Sequence, residues 1–244
     1  MRLDKLLANT GYGSRKDVKA LLKKSMVMVN DTRVKNGSIH VDPEQDFILV
    51  EGEPVVYEKY IYLMMNKPKD VISATDDLRD RTVIDLLPPE YHLYKPFPVG
   101  RLDKDTEGLL LITNDGQLAH QLTTPKNDVP KTYYAIVEGR VTEQDAHAFS
   151  KGVTLDDGYE TKPGKLVVLS RGDISHIELT ITEGKFHQVK RMFEAVGKKV
   201  AYLKRLSMAD LHLDEALEPG EYRRLTEHEL KEDLTIVKPS HESS

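Results

Sequence analysis

The segment from Gly100 to Gly108 holds the densest group of charged side chains that a loop of this sequence could present. It reads GRLDKDTEG and is followed by the apolar run LLLIT. Asp103, Asp105 and Glu107 alternate with other residues there. Carboxylates at this spacing could bind a metal ion, accept a phosphoryl group, or act singly as a nucleophile or a base.

The residues around these carboxylates disfavour the first two kinds of chemistry. Asp103 and Asp105 match positions 1 and 3 of an EF-hand loop, but Asn114 occupies position 12, where a bidentate Glu is needed. A phosphoryl-accepting Asp-x-Asp pair follows an apolar strand, whereas Pro98 and Gly100 interrupt the chain before Asp103. The favoured interpretation is one functional carboxylate on a loop that the following strand anchors.

Composition excludes several other classes of protein. The chain has no cysteine, which excludes disulfides, thiolate nucleophiles and Cys-based zinc sites, and its nine histidines lack ligand spacing. Redox chemistry and zinc fingers are therefore excluded, and we expect no metal site. Asp4 and Lys5 stand where a secretory signal would be apolar, and no apolar run approaches a membrane span. We expect a cytoplasmic monomer without a membrane partner.

Charge is unevenly distributed along the chain, although the formal net charge is only −5. Residues 1–40 contain nine Lys or Arg against three Asp or Glu, and residues 184–206 contain seven against one. Two solvated helix faces could explain such runs. Concentrated positive charge also favours binding of a polyanion, which releases counterions when it binds.

The first 57 residues predict two short helices followed by a small sheet. Ser14 and Asp17 have the spacing of a capping box at the start of the second helix. That helix has an apolar stripe of Val18, Leu21 and Leu22, and basic residues fill most of its other positions. The apolar period then changes to two, which predicts strands at residues 27–29, 33–34, 39–41 and 47–50.

This order of elements resembles the S4 RNA-binding domain over about residues 1–55. The resemblance is carried by LDKLLANTGYGSRKDVKALLKKSMVMVN and the strand pair after it. It implies that the basic helix face and the following loop contact structured RNA. The RNA contacts that it nominates are Lys16, Lys19, Lys23 and Arg33.

The rest of the chain predicts a second domain of mixed structure. Strands are expected at residues 61–65, 109–113, 132–137, 165–169 and 176–182, and helices at 143–150 and 187–196. Strands outnumber helices without regular alternation, which predicts a mostly antiparallel α+β domain. We predict an S4-like domain with its linker at 1–57, this domain at 58–232, and a disordered tail at 233–244.

Four motifs in this second part resemble one family of RNA-modifying enzymes. GRLDKDTEGLLLITNDG is similar to the signature loop of pseudouridine synthases of the small-subunit ribosomal RNA (RsuA) type and their large-subunit relatives. The other motifs, in the family's order, are MNKP at 65–68, KTY at 131–133 and GKFHQVKRMF at 184–193. With the S4-like segment, they cover nearly the whole chain.

The resemblance implies an enzyme that isomerises uridine to pseudouridine in RNA without a cofactor. Asp103 is the implied catalytic carboxylate, either as a nucleophile or as the base that gives a glycal intermediate, and the sequence leaves both routes open. Lys190 is the implied cation that pairs with Asp103 and keeps it ionised. Tyr133 is the implied aromatic that stacks on a flipped uracil, while Tyr134 faces the other side of its strand.

The same resemblance nominates further residues for binding RNA. Arg101 is implied to help open the RNA, because the target base must leave its stack. Lys185 and Arg191 are expected to contact RNA as well. Lys67 and Pro68 are expected to shape the floor of the cleft rather than to react.

The substrate expected from these features is 16S ribosomal RNA, either free or in an assembly intermediate of the small subunit. The chain ends with an acidic segment, residues 207–244, with four Lys or Arg against ten Asp or Glu. Large-subunit relatives often carry long basic extensions instead. A 23S enzyme and a noncatalytic RNA-binding assembly factor remain alternatives. The unbroken GRLD loop, together with Tyr133 and Lys190, favours an enzyme over a pure RNA binder.

Overall fold

The computed structural model of the protein describes residues 1–235. All but the first three residues of the predicted disordered tail lie outside the described residues. The chain forms two compact units. One comprises Met1–Ile61 with Leu87–Lys95, and the other comprises Tyr62–Leu86 with the described chain from Pro96 onward. Within residues 1–235, no helix is both long enough and apolar enough to cross a membrane.

Two helices precede a small antiparallel sheet in the first unit. The side chain of Ser14 accepts a hydrogen bond from the Asp17 amide, and the Asp17 carboxylate accepts one from the Ser14 amide at 2.8 Å, which confirms the predicted capping box. Val18 and Leu22 share one core with the leucines of the first helix. The elements are α1 (Leu3–Asn9), α2 (Arg15–Lys23), β1 (Val27–Val29), β2 (Thr32–Arg33), β3 (Ile48–Val50), β4 (Glu53–Pro54) and, later in the chain, α3 (Pro89–His92); the strand order is β2-β1-β3-β4.

One predicted strand of this unit is wrong. Residues 39–41 contribute only an isolated bridge between Arg2 and His40. Val41 is nevertheless buried, and its amide donates to the Met1 carbonyl at 2.8 Å. The apolar alternation there reflects packing of a loop on the core rather than a ladder.

A nine-stranded sheet forms the centre of the second unit. Its order is β13-β5-β7-β11-β8-β10-β9, with β6 beside β7 and β12 beside β11. Every pairing except that of β7 with β11 is antiparallel, which confirms the predicted α+β class. The elements are β5 (Tyr62–Lys67), β6 (Phe97–Pro98), β7 (Glu107–Thr113), α4 (Gly116–Thr123), β8 (Lys131–Glu138), α5 (Glu143–Lys151), β9 (Lys165–Ser170), β10 (Ile174–Ile181), α6 (Gln188–Ala195), β11 (Lys199–Met208), β12 (Leu211–His212) and β13 (Tyr222–Arg224). Short 3₁₀ turns lie at Ile84–Leu86 and Pro125–Asn127, and a π-helix lies at Glu229–Asp233.

The parallel contact between β7 and β11 is short and requires a glycine. It pairs Lys204 with Glu107 and Arg205 with Gly108. Gly108 has a φ of +102°, and a Cβ added there would lie 2.3 Å from the carbonyl oxygen of Arg205. A side chain at this position would therefore push the two strands apart.

β11 is the longest strand of the structure, and the sequence did not predict it. Most of its sequence, KVAYLKRLSM, lies in the segment 184–206 that we interpreted as a basic surface. Leu203 and Arg205 point into the unit, and Arg205 is only 2% exposed. One of the cations assigned to that surface is thus a buried group.

Candidate active site

Hydrogen bonds to backbone groups before and after Asp103 fix the loop that carries this residue. We call residues 99–106 the Asp103 loop. The Ser73 hydroxyl donates to the Leu102 carbonyl and accepts from the Leu102 amide, both at 3.0 Å. The Thr106 amide donates to the carbonyl of Asp103 at 3.0 Å. The polypeptide on either side of Asp103 therefore has a defined position.

Lys67, at the end of β5, lies beneath this loop and is fully buried. Its Nζ donates to the carbonyls of Pro68 at 2.9 Å, Lys104 at 3.3 Å and Thr106 at 2.9 Å. Burial lowers the pKa of Lys67 to about 8, although the nearby carboxylates, with Asp105 foremost, oppose that shift. Lys67 thus links two points of the Asp103 loop to β5.

The carboxylate of Asp103 lies between two side chains at the start of α6. Its Oδ1 is 3.6 Å from Nε2 of His187, and its Oδ2 is 3.7 Å from Nζ of Lys190. The Asp103 side chain is 29% exposed, so it remains accessible from outside. Both contacts are longer than hydrogen bonds, so neither side chain is hydrogen-bonded to the carboxylate.

The predicted pair of Lys190 with Asp103 is present, but its hydrogen bonds go elsewhere. Nζ of Lys190 donates to both carboxylate oxygens of Asp105, at 2.7 and 2.8 Å. Burial alone would raise the pKa of Asp105, but the hydrogen bond and the positive charge of Lys190 outweigh it and hold that pKa below its ordinary value. Lys190 is therefore shared between two aspartates.

An open pocket of about 420 Å³ begins at Asp103, and we call it the Asp103 pocket. Tyr133, on β8, forms one wall and is 8% exposed. As the strand alternation predicted, Tyr134 faces away, and its hydroxyl lies 2.5 Å from Nδ1 of His176. Other lining residues are Arg101, Thr106, Lys185 and His187. A carboxylate and an aromatic ring thus line one cavity.

The opposite rim of this pocket is held by a buried polar network. The Gln188 amide group donates to Glu183 at 2.7 Å and accepts from the Lys185 amide at 2.8 Å. This fixes the turn before α6, where His187 adopts a left-handed φ of 49°. Phe186 stacks on His187 with ring centroids 3.8 Å apart, and it is 75% exposed.

Comparison with known proteins identifies the family of the chain. The family model for RNA pseudouridylate synthase matches residues 61–195, more than half of the chain. The chain belongs to the RNA pseudouridylate synthase family. The model of the S4 domain matches residues 1–47 of the same pseudouridine synthase. Both family resemblances found in the sequence are thereby confirmed.

Relatives match this pseudouridine synthase over nearly its full length. An uncharacterised RNA pseudouridine synthase of Bacillus subtilis is 56% identical over 94% of this chain and 97% of its own. Ribosomal small subunit pseudouridine synthase A of Haemophilus influenzae is 41% identical over 95% of this chain and 98% of its own. A crystal structure of a pseudouridylate synthase superimposes with a TM-score of 0.68 at 39% identity, covering 96% of this chain and 100% of that one.

The structure of this pseudouridine synthase brings most of the predicted site residues together. Asp103, Tyr133, Arg101 and Lys185 line the Asp103 pocket, and Lys190 contacts Asp103 from α6. Lys185 also lies over the ring of Tyr159, with its Nζ 4.4 Å from the centroid.

Arg191 differs from the other predicted RNA contacts of the second unit. Its guanidinium lies 2.5 Å from Asp156 and 2.7 Å from Asp157. Hydrogen bonds to these carboxylates raise its pKa. The positive charge that the sequence offered to RNA is therefore compensated by two acids from a distant loop.

In the S4 domain, the four nominated cations are all exposed. Lys16, Lys19 and Lys23 lie on α2, and Arg33 lies on β2. Because Val18 and Leu22 turn inward, the lysines lie on the outer face of the helix. Their role in RNA binding stays a prediction.

Three charged residues near the site were missed by sequence reasoning. Asp105 was considered only as a metal ligand or phosphoryl acceptor, and Lys131 and Arg205 were assigned to no site. Lys131 precedes Tyr133 by two positions on a strand, so the period of two could have placed both on one face. Nothing local signals Arg205, because its position depends on the pairing of β11 with β8.

Proposed function

We propose that this pseudouridine synthase isomerises one uridine of 16S ribosomal RNA, with Asp103 as the catalytic residue. The observation that carries the proposal is the Asp103 carboxylate, which lies at the edge of a pocket that Tyr133 lines. It has no hydrogen-bonded side-chain partner among residues 1–235. The names of relatives such as the Haemophilus influenzae enzyme support the small-subunit target.

The reaction is an isomerisation, so substrate and product have the same composition. The bond from N1 of uracil to C1′ of ribose breaks, the base rotates, and C5 bonds to C1′ while the hydrogen on C5 is replaced by one on N1. Asp103 serves either as the nucleophile that holds the sugar or the base, or as the base that removes a ribose proton. Both routes need an ionised carboxylate next to the ribose.

The surroundings of Asp103 suit this role. Lys190 places a positive charge 3.7 Å from Asp103, and this charge offsets the repulsion between the carboxylate and nearby RNA phosphates. The uracil leaves its stack in the RNA and enters the Asp103 pocket, where the ring of Tyr133 holds it during rotation. Stacking of this kind contributes about 1–3 kcal/mol per base. Arg101, exposed at the mouth of the pocket, contacts the opened RNA.

The S4 domain supplies affinity for folded RNA. Lys16, Lys19, Lys23 and Arg33 present their charges to solvent from one helix and one strand. Phosphate contacts of this type position an RNA without reading its sequence. The choice of uridine thus depends on RNA shape as well as on the Asp103 pocket.

Carbodiimide mapping of pseudouridine in 16S and 23S RNA tests the proposal. The substrates are naked transcripts and small-subunit assembly intermediates, incubated with wild-type protein or with Asp103→Asn, which keeps the side-chain shape. We expect one new stop in 16S RNA with the wild type and none with the variant. RNA affinity and thermal unfolding of Asp103→Asn, expected near wild type, show that the variant is folded.

Three outcomes contradict parts of this proposal. A stop only in 23S RNA would keep the chemistry and overturn the target. Product formed by Asp103→Asn would overturn the role of Asp103. No product on any substrate, with RNA binding intact, would favour the noncatalytic assembly factor.

A further inference from the structure

A second pocket, of about 600 Å³, adjoins the Asp103 pocket. The two share Arg101, Tyr133 and Gly184 as lining residues. Lys131 and Arg205 line the second pocket but not the first, and we call it the Lys131 pocket. A ligand that occupies the first pocket would thus find three cations within or beside the second.

Arg205 is the most unusual of these cations. It is 2% exposed, and its Nε donates to the carbonyl of Leu109 at 2.8 Å. Its buried Nη2 has no hydrogen-bond partner among the residues that the structure describes. A buried charged donor without a partner is unfavourable unless something binds it.

Lys131 lies on the same face of the sheet. Cross-strand pairing places Arg205 opposite Tyr133, two residues from Lys131 along β8. Nζ of Lys131 donates to the carbonyl of Val129 at 3.0 Å. Burial, followed by the charge of Arg205, lowers the pKa of Lys131 to about 8, while Asp128 opposes the shift. Two cations therefore repel each other across this pocket.

The acidic side chains near this pocket have other partners. Asp128 lies 2.5 Å from Nζ of Lys162. Glu183, which lines the pocket, accepts hydrogen bonds from the Tyr159 hydroxyl at 2.7 Å and the Lys162 amide at 2.8 Å, in addition to the Gln188 contact described above. Neither carboxylate is hydrogen-bonded to Lys131 or Arg205. The positive charge of the pocket suits an anion from outside the protein.

We propose that the Lys131 pocket binds one phosphodiester of the RNA, next to the uridine in the Asp103 pocket. The inference rests on the proposed function, which places the uracil against Tyr133. A phosphate is joined to that base through a single ribose, and Tyr133 lines both pockets. Guanidinium and ammonium groups are the usual phosphate ligands, and the buried Nη2 of Arg205 is a donor that still lacks an acceptor among the described residues.

Removal of charge from the protein and from the RNA together tests this contact. Lys131→Gln keeps a donor for Val129 but loses the charge. The matched control is Lys165→Gln, an exposed lysine of the same sheet that lines neither pocket. A synthetic RNA carrying the mapped uridine is prepared with a neutral methylphosphonate at each flanking position in turn. We measure KM and kcat at steady state, and the rate of isomerisation in single-turnover experiments.

We expect Lys131→Gln to weaken RNA binding by about tenfold or more, the usual size of a hydrogen bond to a charged group. At one position, the methylphosphonate should weaken RNA binding by the wild type and by Lys165→Gln to the same extent. At that position alone, Lys131→Gln should lose little further. The proposal would be overturned if, at every position, the methylphosphonate weakened RNA binding by Lys131→Gln as much as it weakened binding by the wild type.

A separate measurement does not depend on turnover. Thermal unfolding is followed with inorganic phosphate, uridine, and uridine 3′,5′-bisphosphate for wild type, Lys131→Gln and Arg205→Lys. We expect the bisphosphate to stabilise the wild type more than uridine does, and Lys131→Gln to lose this increment. If inorganic phosphate alone binds and no methylphosphonate position matters, the pocket is a free-phosphate site and the proposal fails.

The two proposals can fail separately. If no pseudouridine forms but the bisphosphate still stabilises the protein in a way that depends on Lys131, the enzymatic function is rejected and the anion pocket is kept. Pseudouridine formed equally well by Lys131→Gln and wild type, on every RNA, would keep the function and reject the pocket. Arg205→Lys keeps a positive charge at the buried position and removes the guanidinium donors. It therefore tests the donors without the misfolding that loss of the buried charge could cause.

Discussion

At the scale of residues, one lysine serves two carboxylates. Lys190 bonds Asp105 directly and stands 3.7 Å from Asp103. Asp105 therefore holds the ammonium group in place without occupying Asp103. Under the proposed function, Lys190 and Asp103 contact the reaction, whereas Asp105 acts as a positioning residue.

This arrangement predicts unequal effects for two substitutions. Lys190→Met should lower kcat by about tenfold or more, because the charge beside Asp103 is lost. Asp105→Asn should lower it less, since Lys190 remains and can move toward Asp103. Single-turnover rates on the mapped RNA measure both effects, and NMR titration should show the pKa of Asp105 rising in Lys190→Met. Equal damage from the two variants would assign Asp105 a role in the reaction itself.

Lys67 predicts a particular dependence of stability on pH. Its pKa is about 8 in the folded protein against an ordinary value of 10.5. Between these values the unfolded chain binds a proton that the folded chain has released, so the free energy of unfolding rises with pH. Lys67→Met removes this rise. The free energy of unfolding of the wild type, minus that of the variant, should therefore increase from pH 8 to pH 10.

Urea unfolding at several pH values measures that difference. Lys165→Met, at an exposed lysine, is the control and should follow the wild type throughout. Parallel curves for wild type and Lys67→Met across this range would show that Lys67 stays charged in the fold.

Residue types predicted part of the site and long-range contacts supplied the rest. The GRLD segment, Tyr133 and Lys190 stand in recognisable motifs, and the structure places them around one pocket. Arg191 stands in the same kind of motif, but acids 35 and 34 positions away in sequence neutralise it. Such pairings depend on how loops meet in the fold, and no local pattern encodes them.

At the scale of elements, the structure separates locally encoded segments from those that need the whole sheet. α2 carries its own cap and apolar stripe, so the sequence predicted it. β11 has Lys204 and Arg205 in its interior, and its strand conformation depends on pairing with β7 and β8 on its two sides. Its propensity alone would not have identified it.

The junction of β7 with β11 predicts a contrast between two glycines. Gly108→Ala should destabilise the protein by about 3 kcal/mol, because its Cβ would meet the Arg205 backbone at 2.3 Å and its φ of +102° disfavours a side chain. Gly116→Ala is the control, since it lies in α4 with nothing within 4 Å of an added Cβ. That change should be neutral or stabilise by up to about 1 kcal/mol. Urea unfolding curves measure both, and similar values would contradict the packing argument.

At the scale of the whole molecule, the net charge of −5 conceals two basic segments. Residues 1–40 lie in the S4 domain, whereas 184–206 include α6 and most of β11 in the second unit. In the second segment, ion pairs of Arg191 with Asp156 and Asp157 neutralise part of the positive charge. The exposed lysines of α2 have no such partners in the contacts described above, and they are the better candidates for RNA phosphates.

This difference predicts how salt affects RNA binding. Replacing Lys16, Lys19 and Lys23 together by Gln should reduce the slope of log K against log salt by about two to three, if each lysine contacts one phosphate. The kcat at saturating RNA should stay unchanged. The control is a triple Gln variant at the exposed Lys151, Lys165 and Lys231, which changes the net charge equally. Filter binding over a range of salt measures the slopes, and identical slopes for the two triple variants would remove α2 from the RNA interface.

The short parallel contact at Gly108 divides the large sheet into two leaves that meet at a seam. The leaf with β5 and β7 carries the Asp103 loop, while the leaf with β8 and β11 carries Tyr133, and α6 with Lys190 precedes its strand β11. Under the proposed function, a nucleotide between Asp103 and Tyr133 contacts both leaves and so acts as a splint across the seam. Bound RNA should therefore slow hydrogen exchange at the shared edge of β7 and β11.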